Sequence, residues 1–390
     1  MSRTTTTAAF FFAGTGIAFL AMWFSLREET PLASSPVAPQ ASIREDSAQA
    51  DSFTPASPAH DESSAERAQR IVDSTLTAMR AGDPQKRAAL SVLMLKQLAH
   101  EGPAGVVALT ALLATGEDFP LGPLLKVNSI TIMSGKRLRQ VVIFALARSP
   151  EPGAWPVARE EALRSIHTTH SMEDAADFIA LVEKREPGAH RADAVAAMLR
   201  VMAVPDNGWN PEVSGAFQPL LVMAHYGAAE LLPAVEAAVL RHPEAQLTDF
   251  LGALWSLPAA TREDALRRVL ADESSLAALE KNPALNKLDQ RSPTAQQFTA
   301  AWFASEHPEY EKARQIDALA LTDYWEPTNH LISRASSDKP PHLPGAPGTP
   351  EQARARLSLL EQIAPSCPEP LLQEKIAAAR AALQKQLASP

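Results

Sequence analysis

Cysteine is nearly absent from this chain of 390 residues: Cys367 stands alone. An intramolecular disulfide and a cysteine-built zinc site are therefore excluded, and stability must come from packing. Aromatic residues make up only 6% of the chain, and Val, Ile and Thr are sparse beside abundant alanine, which argues against a β-sandwich or barrel. Basic residues are also in short supply, 36 Lys and Arg against 45 Asp and Glu for a net charge of −9, the wrong sign for a protein whose main partner is a phosphate backbone. What is plentiful is apolar: 46% of residues are hydrophobic, which is a globular composition, and the residue types favour helices throughout.

Charge is missing altogether from Thr4 to Leu26, a run of 23 residues. As a helix it would extend roughly 35 Å, enough to cross a bilayer core of about 30 Å. Arg3 precedes it, and Arg27, Glu28 and Glu29 follow. The positive-inside bias places the N-terminus in the cytoplasm and the body outside it, so the chain reads as a single-pass membrane protein with a periplasmic or other extracytoplasmic body. A cleaved signal peptide is the alternative, but no good small-x-small site follows the apolar run. Gly14, Ala18, Ala21 and Ser25 form a small-residue stripe through which two such helices could pair as a homodimer, or they are ordinary residues of a lipid-facing helix.

Residues 28–63 contain five prolines among Ala, Ser and acids, with seven acidic residues against Arg44. Lacking any apolar period, this stretch reads as a disordered acidic tether. From Ser64 the pattern changes to amphipathic stretches punctuated by helix-end chemistry. Asp83-Pro84 and Asn210-Pro211 pair a cap with a first-turn proline, and Ser171 to Asp174 and Thr261 to Asp264 resemble capping boxes. The turns recur: Glu151-Pro152-Gly153-Ala154 and Glu186-Pro187-Gly188-Ala189 are the same four residues 35 positions apart. Measured on Gly102, Gly153, Gly188, Gly227 and Pro258, the junctions are 51, 35, 39 and 31 residues apart, a band that suits stacked helix hairpins. In pattern these segments resemble HEAT-type repeats. An irregular bundle whose turns share common punctuation residues is the competing reading.

The expected fold is thus all-α: a membrane anchor (1–27), the tether (28–63), antiparallel helix pairs in an irregular HEAT-like α-solenoid or helical bundle (64–335), a Pro-rich spacer (336–350) and a C-terminal helical hairpin (351–390). In the spacer Pro341, Pro344, Pro347 and Pro350 recur every third residue, polyproline II spacing that suits a stiff connection. Leu124 to Ile132, with several β-branched residues, could form a short strand or a helix and loop packed inside the array.

Catalytic motifs are mostly lacking. No glycine loop for a nucleotide, no Gly-x-Ser-x-Gly elbow and no His-Glu-x-x-His helix occurs, and Pro340 and Pro341 deny Ser336 to Lys339 the helix its Ser-x-x-Lys spacing would need. No cofactor is expected. His167 and His170, three apart near Glu173, Asp174 and Asp177, could offer imidazoles to a metal, but solvated residues at a junction capped by Ser171 are the favoured reading. The densest polar and aromatic stretch is Asp323-Tyr324-Trp325-Glu326-Pro327-Thr328-Asn329-His330. A helical hydrolase or lyase acting on an envelope polymer would use Asp323, Glu326 and His330 there, with Trp325 lining the cleft. The favoured function is instead a scaffold or adaptor that binds an envelope or membrane protein. Its face would be built by the second helices of the pairs, which carry Arg191, Arg200 and Arg268 among Ala and Leu.

Overall fold

The computed structural model describes residues 62–122, 136–203, 217–320 and 349–388. The membrane-length run of residues 4–26, with Gly14, Ala18, Ala21 and Ser25, lies outside the described residues, as do Asn210 and Pro211. Among the described residues no helix is long and apolar enough to cross a membrane.

Those residues form sixteen α-helices, four short 3-10 turns and no strand. In chain order the helices are α1 (Ser64–Ala81), α2 (Pro84–His100), α3 (Pro103–Ala114), α4 (Leu138–Arg148), α5 (Ala154–Thr168), α6 (Met172–Arg185), α7 (Arg191–Met202) and α8 (Phe217–Tyr226). They continue as α9 (Leu232–Arg241), α10 (Pro243–Ala253), α11 (Ala259–Ala271), α12 (Glu273–Lys281), α13 (Pro293–Ala304), α14 (Glu309–Ala320), α15 (Pro350–Ile363) and α16 (Pro370–Ala388). The all-helical class expected from composition is what the described residues adopt, with neighbouring helices packed in pairs. The chain divides into two compact units, Met1–Glu160 and Glu161–Pro390.

In the first unit, Ser63 starts α1 with a complete capping box: its hydroxyl accepts the Glu66 N–H, and the Glu66 carboxylate accepts the Ser63 N–H at 2.8 Å. α1 packs on α2 and α3, burying Val72, Leu76 and Met79 with Met94, Leu98, Leu109 and Leu112. Burial of each such side chain contributes about 1.5–3 kcal/mol. The α2–α3 contact is backbone to backbone, since a Cβ on Gly105 would lie 2.0 Å from the Leu98 carbonyl oxygen. Beyond α3 the chain closes on itself through an isolated antiparallel bridge between Pro120 and Arg137, with Leu121 N–H donating to Lys136 O at 2.9 Å. The segment in which a short strand was considered, Leu124 to Ile132, falls outside the described residues.

In the second unit two kinds of contact alternate. Consecutive helices pair (α6 with α7, α7 with α8, α9 with α10, α11 with α12), and helices two apart stack (α6 on α8, α8 on α10, α10 on α12, then α11 on α13 and α13 on α15). α6 and α8 are buried along nearly their whole described length, whereas α7, α9 and α11 keep a solvent side. Ser171 caps α6 as its sequence suggested, accepting the Asp174 N–H. Thr261 does not cap α11. That helix begins two residues earlier, at Ala259 after Pro258, because proline fixes an extended-to-helical entry there and leaves Thr261 inside the first turn.

Side-chain ties carry the same register as the turns. Arg67 to Glu101, Arg80 to Glu117, Arg191 to Glu230, Arg268 to Glu236, Lys281 to Glu244 and Trp255 to the Lys287 carbonyl span 34, 37, 39, 32, 37 and 32 residues. A side chain on one element thus repeatedly reaches its counterpart one helix pair along, which is how stacked units are held.

Candidate functional site

Two buried carboxylates organise the second unit. Glu183, near the end of α6 and 4% exposed, has both oxygens occupied. His225 Nε2 lies 2.8 Å from Oε1, the Tyr226 hydroxyl donates to Oε2 at 2.6 Å, and the Gly188 N–H donates to both at 2.9 and 3.0 Å. Gly188 belongs to the second Glu-Pro-Gly-Ala turn and has φ of +75°, a left-handed conformation that suits glycine and aims its N–H back at the preceding helix. Burial pushes the Glu183 carboxyl up, but the hydrogen bonds from His225, Tyr226 and Gly188 outweigh burial and hold it below its ordinary value. The Tyr226 phenol is pushed up by burial and by the carboxylate it serves. A glutamate, a histidine and a tyrosine in mutual contact have the residue types of an acid–base site. Here every carboxylate oxygen is already spent on fixed donors, and the arrangement works as a lock between α6, the turn and α8.

The second carboxylate, Asp289, is 4% exposed in the loop before α13. Arg262 of α11 meets its Oδ2 at 2.7 Å, Arg291 meets Oδ1 at 2.9 Å and Oδ2 at 3.0 Å, and the Gln352 amide of α15 donates to Oδ1. Arg291 also lies over the Trp255 ring at 5.9 Å. Nearby, Arg356 of α15 is 2% exposed and donates to the carbonyls of Leu319 and Asn286, each at 3.2 Å. Burial pushes its guanidinium down to about 10, opposed by the Asp289 charge. Sequence reading passed over both carboxylates, because a lone Glu or Asp within an amphipathic stretch looks like a solvated residue until its partners are brought in from one or two helices away.

The metal candidates do not converge. His167 Nε2 lies 3.2 Å from Asp193 Oδ1, and His190, itself 2.7 Å from Glu186 Oε2, meets the other Asp193 oxygen at 3.5 Å. His170 lies exposed just past α5. Among the described residues no group of three His, Cys, Asp or Glu is placed to hold a metal ion. Asp323, Trp325, Glu326 and His330 lie outside the described residues.

The three arginines nominated for a binding face all make internal ties. Arg191 reaches Glu230 at 2.8 Å, Arg268 grips Glu236 through two contacts of 2.6 Å, and Arg200 Nη2 donates to the Ile166 and Thr169 carbonyls at 2.6 and 3.2 Å, closing the C-terminal end of α5. Between these ties α7 carries one charge, Asp193, which lies against His167 and His190. Ala192, Ala196 and Leu199 are its exposed positions, continued by Ala203, and Pro233 and Ala237 face solvent on α9. Comparison with known proteins finds no matching family model, no matching curated protein and no matching solved structure.

Proposed function

We propose that this protein is a membrane-tethered extracytoplasmic scaffold or adaptor that binds another protein through a HEAT-like array of helix pairs. The anchor is the uncharged run of residues 4–26, which in this reading leaves the N-terminus in the cytoplasm, lets Gly14, Ala18, Ala21 and Ser25 bring two copies together, and puts the body on the far side of the membrane. The solenoid reading draws support from two features of the second unit: stacking of helices two apart, and side-chain ties that repeat one helix pair along.

The observation that carries the binding function is the outward side of α7. Its exposed positions, Ala192, Ala196 and Leu199, are apolar, while the arginines flanking them are held in place by Glu230 and by the end of α5. A face whose flanking arginines are already tied and whose exposed middle positions are apolar loses little conformational freedom when a protein covers it. The decisive experiment is affinity capture from membranes with the full chain, repeated with Ala196→Glu plus Leu199→Glu. A stoichiometric protein retained by the native chain and lost from the variant, at unchanged helix content, is the expected result. Equal capture by both would overturn the assignment of this face, and a reporter fused after Pro390 that is active only in the cytoplasm would overturn the placement of the body.

A further inference from the structure

The exposed positions of α7, Ala192, Ala196 and Leu199, are followed by Ala203, which is exposed and still helical in its backbone angles. These four residues are separated by four, three and four positions. That alternation is the d and a pattern of a heptad, the spacing with which one helix lies lengthwise along another. Two charged side chains flank the seam on one side, Asp193 and Arg200, each directly after a d residue and therefore at heptad position e. The other flank, position g, holds Val195 and Met202. A helical partner thus meets an apolar row with an acid and a base, seven residues apart, along one edge only.

Both edge charges keep capacity for a partner. The Asp193 side chain is 37% exposed and is met only by histidines, His167 Nε2 at 3.2 Å from Oδ1 and His190 Nδ1 at 3.5 Å from Oδ2. Arg200 is half-buried and reaches the Ile166 and Thr169 carbonyls through Nη2 alone.

This pattern complements itself. Laid antiparallel on its own copy about a two-fold axis between Ala197 and Met198, α7 sets Ala196 opposite Leu199 and Ala192 opposite Ala203, each pairing made twice by symmetry. Each seam leucine then faces an alanine, so the two rows interlock. Antiparallel helices also set e against e, and Asp193 of one copy stands across from Arg200 of the other, again twice. A parallel pairing would set e against g, leaving both charges over Val195 and Met202, and would stack leucine on leucine and alanine on alanine.

From this self-complementary register we infer that the protein covering α7 is a second copy of this chain, seated antiparallel on the same helix. The inference rests on the reading of α7 as the binding face and supplies its occupant. The seam from Ala192 to Ala203 is roughly 16 Å long, short beside a standard interface of about 800 Å² on each partner, so the pairing is weak and concentration-dependent.

The test mixes two preparations of the full chain in detergent micelles, one carrying Ala196→Cys and the other Leu199→Cys, and oxidises them. The native Cys367 is buried, and the chain without introduced cysteines is the control. The mixed disulfide between positions 196 and 199 should form at least fivefold faster than either disulfide between identical positions. Placed in both preparations, Asp193→Arg or Arg200→Asp should slow it about tenfold, and the two reversals together should restore it at constant helix content. Equal rates for the three disulfides would overturn the proposal whether or not the charge variants fold. So would charge reversals that fold and leave the mixed disulfide unaffected. A different protein captured by the native chain and lost from Ala196→Glu plus Leu199→Glu, with no disulfide between 196 and 199, would overturn the second copy as occupant while leaving α7 as the binding face.

Discussion

Glu183 and Asp289 are both buried carboxylates that lock helices of the second unit, yet they are satisfied in opposite ways. Glu183 takes a backbone N–H, a phenol and an imidazole, all from the neighbouring turn and the following helix pair. Asp289 takes two guanidinium groups and an amide, one of them delivered from 63 residues along the chain. The first lock rests on a backbone N–H and two side chains of α8, the second on two guanidinium charges and an amide. Burial of an ion pair raises the cost of losing one member far above that of losing one neutral donor, because the remaining charge has no water to fall back on.

The sharpest break in that comparison is Asp289→Ala, which leaves Arg262, Arg291 and Gln352 without their shared acceptor. Urea denaturation should show a loss of about 3–5 kcal/mol. Glu183→Gln, which keeps shape and one acceptor, should cost about 1–3 kcal/mol, and Tyr226→Phe about 1 kcal/mol. If the two carboxylates proved equally costly to remove, the distinction between charged and neutral locks would fall. Gly188→Ala tests the turn that feeds Glu183. A side chain at φ of +75° should cost about 1–2 kcal/mol without altering the fold, read as a shift in the thermal midpoint.

The acid limb of stability separates the locks by pH. The Glu183 carboxyl is held below its ordinary value in the folded protein, so its contribution is fully present above the unfolded pKa and disappears as pH falls through the lower folded value. Glu183→Gln should flatten that part of the stability profile below about pH 4.5. Tyr226, raised in the folded state, acts at the other end: its contribution is complete below the unfolded phenol pKa and is lost as pH rises beyond it, so Tyr226→Phe should flatten the limb above about pH 10. The smallest effect belongs to Arg191→Ala. Both partners of that tie face water, and the variant should be indistinguishable from the native chain in the same denaturation assay.

Much of the helix inventory was legible before any coordinates. The arginines expected on helices of the array, Arg191, Arg200 and Arg268, do stand on helices, the first two on α7 and the third on α11. The terminal segment does form a hairpin, with Ile363 on one helix and Leu372, Ile376, Ala379 and Leu383 on the other all buried. Caps were legible where the cap residue stands directly before the apolar run, as at Ser171, and misread at Thr261, where Pro258 had already opened the helix. The division of the body at Glu160 and Glu161 left no mark in composition, because it falls inside the continuous helix α5.

Local chemistry by itself determined the all-helical class, the helix ends and the recurring spacing of the turns, because propensity, capping and apolar period act over a few residues and are written in adjacent positions. The tertiary structure alone decided which polar residues are buried and which arginines are spent. Nothing near Arg200 announces that its guanidinium will close the end of α5, and nothing near Asp289 announces Gln352. Such pairings depend on which faces meet after helices stack, and burial, which turns an ordinary surface charge into a structural anchor, exists only once they have met.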